Sequence, residues 1–429
     1  MAMADAALNT GVMRAADGTP LKVKLRQAER RERLKALGLI APLFLFIVIT
    51  FLMPIAMMMR NAFYDPDVRD NLPATVEALA DWDGASVPDE HVFAAFASDM
   101  KAAQKAKTAA LIGRRLNYEI PTLKSKVTTT ARKLDKIAQG PWREAVIGMD
   151  PVWGEVATWA VVKRASSALT PFYLLSVLDL RQTVDGGIER MPADRTIYVQ
   201  ILLRTLGISL LVTLATLVLG YPVAYMLATL PQRTASILMI FVLLPFWTSL
   251  LVRTTAWTIL LQDGGAFSQI IDHTGITWLL NVLGLADGSP QLFKTRFATV
   301  LAMTHIQLPF TLLPIYSVMK TISPTYMRAA KSLGATPFHA FRAVYMPQTL
   351  PGVAAGCLLT FILSLGYFIT PALVGGPTDN MIAGFIDTAM NSEGNWGKAS
   401  ALGLVLLTAT LILYYVYNKL IGIDNMKLG

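Results

Sequence analysis

A short basic stretch between two apolar segments carries the most distinctive residue pattern in the chain. Ser323 and Thr336 each precede a proline, which is the arrangement of a helix N-cap followed by proline at the first helical position. Gly334 lies between them and supplies a permissive backbone. Residues 323–338, which we call the elbow, are therefore predicted to form two short helices around a turn. Such a stiff element can transmit motion from a soluble partner to neighbouring helices.

Polar side chains are rare inside the apolar segments. Arg253 is the one charge within such a segment, and it either lines a polar path, holds another helix, or extends toward the membrane surface. His305 and Gln307 could form part of a cavity wall, although a single helical histidine is more often a packing residue. These interpretations stay open for each of these residues.

Three further residues could attract a cationic solute. Aromatic rings offer cation–π faces and a carboxylate offers a charge, whereas helix packing or an interfacial aromatic belt is the alternative for each ring. These candidates for a translocation path are Trp247, Tyr367 and Asp379.

The sequence lacks the residue patterns that several kinds of chemistry require. One cysteine, Cys357, and four histidines exclude a disulfide framework and argue against a zinc site, so no cofactor or metal is expected. The phosphate-binding pattern G-x-x-x-x-G-K-[ST] is absent, as are the G-x-S-x-G and H-E-x-x-H patterns. The chain is therefore not expected to be an enzyme.

The composition is that of an integral membrane protein. Of the 429 residues, 54% are hydrophobic and only 16% are charged. Six runs with at most one charge approach or exceed the roughly 20 residues that a membrane helix needs. We predict an all-α polytopic membrane protein with six transmembrane helices, at about 37–59, 205–230, 235–262, 297–319, 350–374 and 399–418.

The runs divide the chain into four parts. The first run is interpreted as a retained anchor and not a signal peptide, because its leader and apolar run are long and no small-residue cleavage site follows. The insertion after it balances 18 basic with 18 acidic residues and has a mostly helical pattern. The predicted parts are a basic cytoplasmic tail at 1–36, the first helix at 37–59, a mainly helical extracytoplasmic insertion at 60–196, and a core at 197–429 with five helices and a cytoplasmic loop at 320–348.

The distribution of Lys and Arg predicts the orientation. Residues 1–36 carry eight basic residues against four acids, and the loop at 320–342 carries four with no acid. Basic residues resist translocation, so both segments and both termini are predicted to be cytoplasmic. The formal charge of +9 is then explained by topology, and no nucleic-acid partner is expected.

The cytoplasmic loop resembles the EAA motif of ABC importer permeases, the segment that docks into the ATPase subunit. Arg328 stands where that family usually has glutamate, and Met346 with Pro347 replaces its usual Leu-Pro. Through this resemblance, contact with the ATPase is expected at Arg328, Ala329, Ala330, Lys331, Leu333, Gly334, Ala335, Phe338, Phe341 and Pro347.

Other segments are similar to the spermidine/putrescine branch of that family. They are Gly220-Tyr221-Pro222 with Ala224-Tyr225, the stretch from Pro245 to Arg253, and Gly375-Gly376. The resemblance implies a multi-pass permease of the bacterial inner membrane that passes a small solute, a polyamine such as spermidine or putrescine. It also implies three partners, namely an ATPase subunit that hydrolyses ATP, a second permease subunit in a heterodimer, and an extracytoplasmic solute-binding protein.

Two other classes of protein remain as alternatives. An ion-coupled secondary transporter typically needs an intramembrane carboxylate or a broken-helix ion site, and the apolar runs contain no acid. A membrane-anchored receptor or scaffold would use the insertion for its activity, but six spans exceed what anchoring requires.

Overall fold

The computed structural model describes residues 21–183, 186–275, 277, 281–282 and 290–421. Residues 1–20 of the predicted cytoplasmic tail therefore lie outside the described residues. The chain divides into two units, Met1–Arg60 and Asn61–Gly429. Five described helices are long and apolar enough to cross a membrane, and a bent pair of helices makes a sixth candidate.

The first unit is a continuous helical stretch with a local irregularity near a proline. Helix Leu21–Ile47 runs through a π-helical turn, Val48–Leu52, into helix Met53–Arg60. Pro54 cannot donate a backbone hydrogen bond, and π-helical turns are one way in which a helix absorbs such a break. The predicted first membrane helix thus lies within the apolar helical stretch Glu29–Arg60.

The insertion forms the first part of the second unit and is mainly helical, as predicted. Its only described strands, β1 (Leu180–Gln182) and β2 (Ile188–Arg190), make an antiparallel hairpin. Its described helices are Asp67–Asn71, Pro73–Ala78, Glu90–Ala106, Ala109–Asn117, Leu123–Leu134, Trp142–Met149, Val156–Ala165 and Phe172–Val177, with a 3-10 turn at Pro151–Gly154.

The insertion has a hydrophobic core of its own. Helix Glu90–Ala106 buries one face, which includes Phe93 and Phe96. The ring of Phe96 lies 4.7 Å from that of Trp153 and 5.2 Å from that of Trp159. Both indole N–H groups are satisfied, since Trp153 donates to Thr130 Oγ1 at 3.0 Å and Trp159 donates to the Trp153 carbonyl at 2.8 Å. Buried aromatic residues with satisfied donors are typical of a stably folded domain.

The rest of the second unit is a bundle of longer helices. Its described helices include Tyr198–Thr229, Gln232–Leu243, Leu250–Leu261, Ala266–His273, Arg296–Thr321, Pro324–Ser332, Pro337–Ala340, Met346–Leu365, Ile369–Val374, Ile382–Asp387 and Trp396–Ile421, with 3-10 turns at Leu244–Trp247 and Pro377–Asp379 and π-helical turns at Phe341–Tyr345 and Thr388–Ser392. We call Tyr198–Thr229 the second span, Gln232–Trp247 with Leu250–His273 the third, Arg296–Thr321 the fourth, Pro337–Leu365 the fifth and Trp396–Lys419 the sixth.

Two of the predicted helices differ from the observed ones. The run at 235–262 is not one straight helix, because its two halves meet at an angle of 96°. Pro245 ends the first half, and the Ser249 side chain caps the second by accepting from the Val252 amide at 3.2 Å. The predicted helix at 350–374 ends at Leu365, where a glycine of weak helix propensity follows, and a separate short helix completes the segment.

The second, fourth and fifth spans pack against one another. Gly352 and Gly356 of the fifth span let the backbones approach, since a Cβ at Gly356 would lie 2.5 Å from the Thr311 carbonyl oxygen. The Thr311 hydroxyl donates to Thr216 Oγ1 at 2.8 Å and lies 2.5 Å from Thr360 Oγ1. Small residues and hydroxyl contacts of this kind hold helices together in a membrane.

An aspartate of the insertion caps the second span. The Asp179 carboxylate accepts from the amides of Ile197 and Tyr198 at 3.0 Å each and from that of Val199 at 2.9 Å. A carboxylate at a helix N-terminus satisfies amides that have no intrahelical partner and complements the helix dipole. The second span is therefore fixed to the insertion at its first residues.

A buried ion-pair cluster holds parts of the insertion together. The Arg115 guanidinium lies 3.3 Å from Asp65, 3.0 Å from Glu119 and 4.6 Å from the centre of the Phe172 ring. The Tyr173 hydroxyl also donates to Asp65, and burial raises the pKa of Tyr173 well above its usual value, so this hydroxyl stays protonated. The cluster joins the start of the insertion to its last helix.

Candidate functional site

The elbow folds as two capped helices, as its sequence predicts. Ser323 Oγ accepts from the Thr325 amide at 3.3 Å, and Thr336 Oγ1 accepts from the His339 amide at 3.3 Å. Gly334 lies between the helices with φ +89°, a conformation that L side chains rarely adopt. The turn is closed by two backbone bonds, from Gly334 to Lys331 at 3.0 Å and from Ala335 to Ala330 at 3.1 Å.

The second helix of the elbow is continuous with the fifth span. Pro337–Ala340 passes through the π-helical turn Phe341–Tyr345 into Met346–Leu365. Pro347 follows this π-helical turn closely, and such turns are one way in which a continuous helix accommodates the backbone hydrogen bond that a proline cannot donate. The elbow is thus the end of a membrane helix, which the sequence alone does not indicate.

The elbow presents an apolar and basic surface. The side chains of Leu333 and Phe338 are 90% and 73% exposed. Arg328 and Lys331 are exposed beside them, and among the described residues the Arg328 guanidinium makes one hydrogen bond, to Thr325 at 3.5 Å, and no ion pair. Large exposed apolar side chains beside unpaired basic groups indicate a surface that binds another protein.

The remaining elbow candidates divide between exposed and inward-facing positions. Ala329 and Pro347 are exposed, whereas Ala330 and Ala335 are half-buried. Phe341 is half-buried and belongs to the link with the second span.

An aromatic cluster connects this loop to the second span. The Phe341 ring lies 5.2 Å from the ring of Tyr225, 6.4 Å from that of Tyr221 and 5.7 Å from that of Tyr345. The Tyr221 hydroxyl lies 3.1 Å from Thr349 Oγ1, which adds a polar contact to the same junction. The segment that follows the elbow therefore belongs to the fifth span and contacts the second.

Three of the path candidates lie near one another. Arg253 is within electrostatic range of both His305 and Tyr367. His305 Nδ1 accepts from the Trp257 indole N–H at 3.2 Å, which fixes the tautomer with the proton on Nε2. The contact with Trp257 supports the packing interpretation of His305. The nearby Arg253 gives the same ring polar surroundings.

Gln307 is buried and only half satisfied. It is 1% exposed, and its Oε1 accepts from Ser364 Oγ at 2.7 Å. Its Nε2 makes no hydrogen bond with the described residues. This amide is enclosed by the bundle, and its role in a translocation path stays a prediction.

The other two path candidates have different surroundings. Trp247 lies at the bend of the third span and is 74% exposed, so it does not line the interior of this chain. Asp379 is 3% exposed; it accepts from the Gly376 amide at 3.1 Å and pairs with Arg296 at 3.0 Å. This carboxylate is bound within the chain and is not free at an outer opening.

Sequence reasoning did not find the residues that join the spans. The hydroxyls of Thr216, Thr311 and Thr360 meet inside the bundle, and no single one of them is distinctive in the sequence. The four-residue spacing of Gly352 and Gly356 is the signal that would have predicted close helix packing.

Comparison with known proteins places the chain in a family. A family model described as "binding-protein-dependent transport system inner membrane component" matches residues 218–421. The spermidine/putrescine transport system permease protein PotB of Escherichia coli (strain K12) is 32% identical over 221 residues, 51% of this chain and 77% of that protein. The inner membrane ABC transporter permease protein YdcU of the same organism is 35% identical over 225 residues, 52% of this chain and 71% of that protein.

A solved structure was also matched. It is a bacterial alginate ABC transporter in complex with an alginate pentasaccharide-bound periplasmic protein, and the match has a TM-score of 0.41 at 16% identity. It covers 54% of this chain and 80% of that one.

The chain belongs to the family of binding-protein-dependent inner membrane transport components, the permease subunits of ABC importers. It is a multi-pass inner membrane protein of this family and a transport subunit, not an enzyme. The EAA motif belongs to this family, and residues 329–335 of the elbow carry the pattern that resembles it. The assignment favours the permease interpretation over the secondary transporter and over the receptor or scaffold.

Proposed function

We propose that this permease imports a polyamine such as spermidine or putrescine, delivered by an external solute-binding protein. The relatives carry this proposal, since a spermidine/putrescine permease is 32% identical over half of the chain. The apolar runs of the second to sixth spans, at 205–230, 235–262, 297–319, 350–374 and 399–418, contain no acidic residue that would bind a polyamine strongly. Selectivity is therefore assigned to the binding protein, and the role of the spans is to lower the barrier to passage.

The energy for transport reaches this chain at the elbow. A separate ATPase subunit docks on the exposed face around Leu333 and Phe338, and a second permease subunit completes the path. Because the elbow is continuous with the fifth span and contacts the second through Phe341, a displacement at the ATPase moves both spans together. This continuity is the single observation on which the coupling mechanism rests.

Reconstitution of the complete importer tests the solute and the energy source. Proteoliposomes with both permease subunits, the ATPase and the binding protein are expected to accumulate labelled spermidine or putrescine only with ATP. A proton or sodium gradient without ATP should give no uptake. ATP-driven uptake of another solute, with no polyamine uptake, would contradict the polyamine assignment and leave the coupling mechanism standing.

A matched pair of substitutions tests the elbow. Gly334→Pro is expected to abolish uptake, because proline is fixed near φ −65° and cannot take the observed +89°. Gly334→Asn is the control, since asparagine tolerates positive φ, and it should retain most of the uptake. Equal uptake by the two variants would contradict the role of the turn.

We also propose that both termini face the cytoplasm and that the insertion is extracytoplasmic. The basic residues at 1–36 and 320–342 support this orientation. A green fluorescent protein fused to the C-terminus should fluoresce, and alkaline phosphatase inserted between Gly84 and the exposed Ala85, in a loop between two helices, should be active. A dark C-terminal fusion together with an inactive alkaline phosphatase insertion would contradict the proposed orientation.

A further inference from the structure

A cavity lies where the insertion meets the first residues of two spans. Its volume is about 650 Å³, which is within the range of small-molecule sites, and such sites form preferentially where separate structural units meet. Helices Val156–Ala165 and Phe172–Val177 and the β-hairpin of the insertion contribute to its wall. Tyr198 of the second span and Lys398 of the sixth also line it. The proposed transport mechanism makes no use of this cavity.

The cavity lies at the level of the membrane surface. Lys398 directly precedes the apolar run at 399–418, so its ammonium group lies where the hydrocarbon layer ends. That group lies 5.4 Å from the centre of the Tyr198 ring, and both residue types are common at the boundary between lipid and water. Ile197 and Val199, on either side of Tyr198, are exposed apolar side chains. Lipid headgroups therefore surround the chain at the height of the cavity.

Positive charge predominates among the side chains that line the cavity. The four cations are Arg164, Arg181, Arg195 and Lys398, and the three carboxylates are Glu119, Glu189 and Glu393. Arg164 pairs with Glu119 at 2.9 Å, and Lys398 pairs with Glu393 at the same distance. Arg181 Nε donates to Glu189 Oε1 at 2.6 Å. Each carboxylate is thus already used by a cation of the chain, and one positive charge is left over.

The remaining positive charge belongs to Arg195. Its side chain is exposed, and its guanidinium makes neither a hydrogen bond nor an ion pair with the part of the chain that the structure describes. Arg181 and Glu189 are both about half exposed, and an exposed ion pair of this kind contributes at most about 1 kcal/mol. An incoming anion can therefore engage Arg195 and compete for Arg181. Guanidinium groups bind phosphate through paired, charge-assisted hydrogen bonds.

We propose that this cavity binds the phosphate of an anionic membrane lipid, with Arg195 and Arg181 as the anion-binding groups. One negative headgroup neutralises the excess positive charge, and basic pockets beside membrane helices bind lipid headgroups in this way. The exposed Ile197 and Val199 provide apolar surface for the acyl chains. A bound lipid would connect the hairpin of the insertion with the first turns of the second and sixth spans. This inference does not depend on the transported solute.

Lipid binding to the full-length chain tests the proposal. The purified protein in neutral detergent is titrated with phosphatidylglycerol, and native mass spectrometry measures the bound lipid. The tightest binding event is expected to favour phosphatidylglycerol over the net-neutral phosphatidylcholine by about tenfold, because only the former neutralises the cavity. Equal affinity for the two lipids would overturn the recognition of an anionic headgroup.

Two variants alter the cavity by different means. Arg195→Gln removes the unpaired charge and should weaken phosphatidylglycerol binding by about tenfold, as expected for the loss of a charge-assisted hydrogen bond. Ala157→Trp places a bulky side chain at an exposed position of the cavity wall and leaves every charge in place, so it should have a similar effect. Arg233→Gln changes an exposed arginine in the turn after the second span and is the control, with unchanged binding.

Undiminished phosphatidylglycerol binding by Arg195→Gln would overturn the proposal, whatever the result with Ala157→Trp. Because Arg195 is exposed and unpaired, its substitution should leave the midpoint of thermal unfolding in lipid-free detergent unchanged. The variant is therefore informative even if the tryptophan substitution prevents folding.

Thermal unfolding with different ligands identifies the source of the anion. Phosphatidylglycerol should raise the unfolding midpoint of the original chain more than that of Arg195→Gln, because a ligand that binds the folded state stabilises it. An equal rise with glycerol 3-phosphate would assign the cavity to a soluble phosphate compound. A rise with spermidine that Ala157→Trp abolishes would assign it to a cation, and either result overturns the lipid assignment. No measurement involves uptake, so the outcome is independent of the proposed function.

Discussion

The ring of Tyr173 lies directly against the backbone of Gly397, so that a Cβ atom at position 397 would overlap the ring. Tyr173 belongs to the last helix of the insertion, and Gly397 belongs to the first turn of the sixth span. Tyr173 is 3% exposed, and Gly397 is also buried. The insertion and the membrane bundle therefore meet at a close-packed contact that only glycine permits.

The first prediction concerns this contact. Gly397→Ala should lower the free energy of unfolding by about 1–3 kcal/mol, because the added methyl forces the buried Tyr173 ring to move. Thermal unfolding of the purified protein in detergent measures the effect. Gly148→Ala is the matched control, since a Cβ there meets nothing within 4 Å, and it should be neutral or slightly stabilising. Equal midpoints for the two variants would show that the ring has room to move.

The second prediction concerns the cap that Asp179 places on the second span. Asp179→Ala removes the acceptor of three backbone amides and should cost about 1–3 kcal/mol. Asp179→Asn keeps an acceptor and tolerates the observed φ of +58°, so its cost should be smaller. Hydrogen exchange should become faster at Tyr198 and Val199 in the alanine variant. The exposed Asp194→Ala is the control, and unchanged exchange in Asp179→Ala would argue against the cap.

The third prediction concerns the surface that receives the ATPase. Leu333→Asp should reduce ATPase co-purification and uptake by about tenfold or more, as expected for a central apolar contact worth about 2 kcal/mol. The side chain is 90% exposed, so thermal stability of the permease itself should be unaffected. Leu333→Met preserves the apolar contact and is expected to retain function. Undiminished ATPase binding by Leu333→Asp would place the docking surface elsewhere.

Phe338→Asp provides an independent variant of the same experiment. Phe338 is 73% exposed on the other helix of the elbow, so its loss should have a similar effect if both helices contact the ATPase. An effect from Leu333 alone would restrict the contact to the first helix.

The fourth prediction concerns the packing of the fourth and fifth spans. Gly356→Ala would place a methyl 2.5 Å from the Thr311 carbonyl oxygen, which is backbone and cannot rotate away. The two helices must separate, and we expect a loss of about 1–3 kcal/mol in stability together with impaired uptake. Gly207→Ala in the second span meets nothing within 4 Å and is the control. Similar unfolding midpoints would mean that the spans do not depend on this approach.

Local signals predicted the local structure well. The caps at Ser323 and Thr336 and the turn at Gly334 each depend on residues within four positions, so the sequence is sufficient to predict them. The buried face of helix Glu90–Ala106 follows from its helical spacing for the same reason. The apolar runs likewise located the spans, although not the exact ends of their helices.

Relationships between distant residues were not predictable in this way. The break in the third span was missed because a search for charge-free runs does not register Pro245 followed by a new cap at Ser249. The pairing of Asp379 with Arg296 joins residues 83 positions apart, and only the packed bundle shows that this carboxylate is not free. The ATPase and translocation roles of the individual residues remain predictions.

Because the elbow passes without a break into the fifth span, we expect that span to act as a lever. At about 1.5 Å per residue, its 29 residues extend about 44 Å. Gly352 and Gly356, where the fifth span lies closest to the fourth, are placed to act as the fulcrum. A sideways displacement at Phe338 would then move the opposite end of the helix, near Leu365, in the reverse direction. Closure of the translocation path at one end would thus accompany its opening at the other.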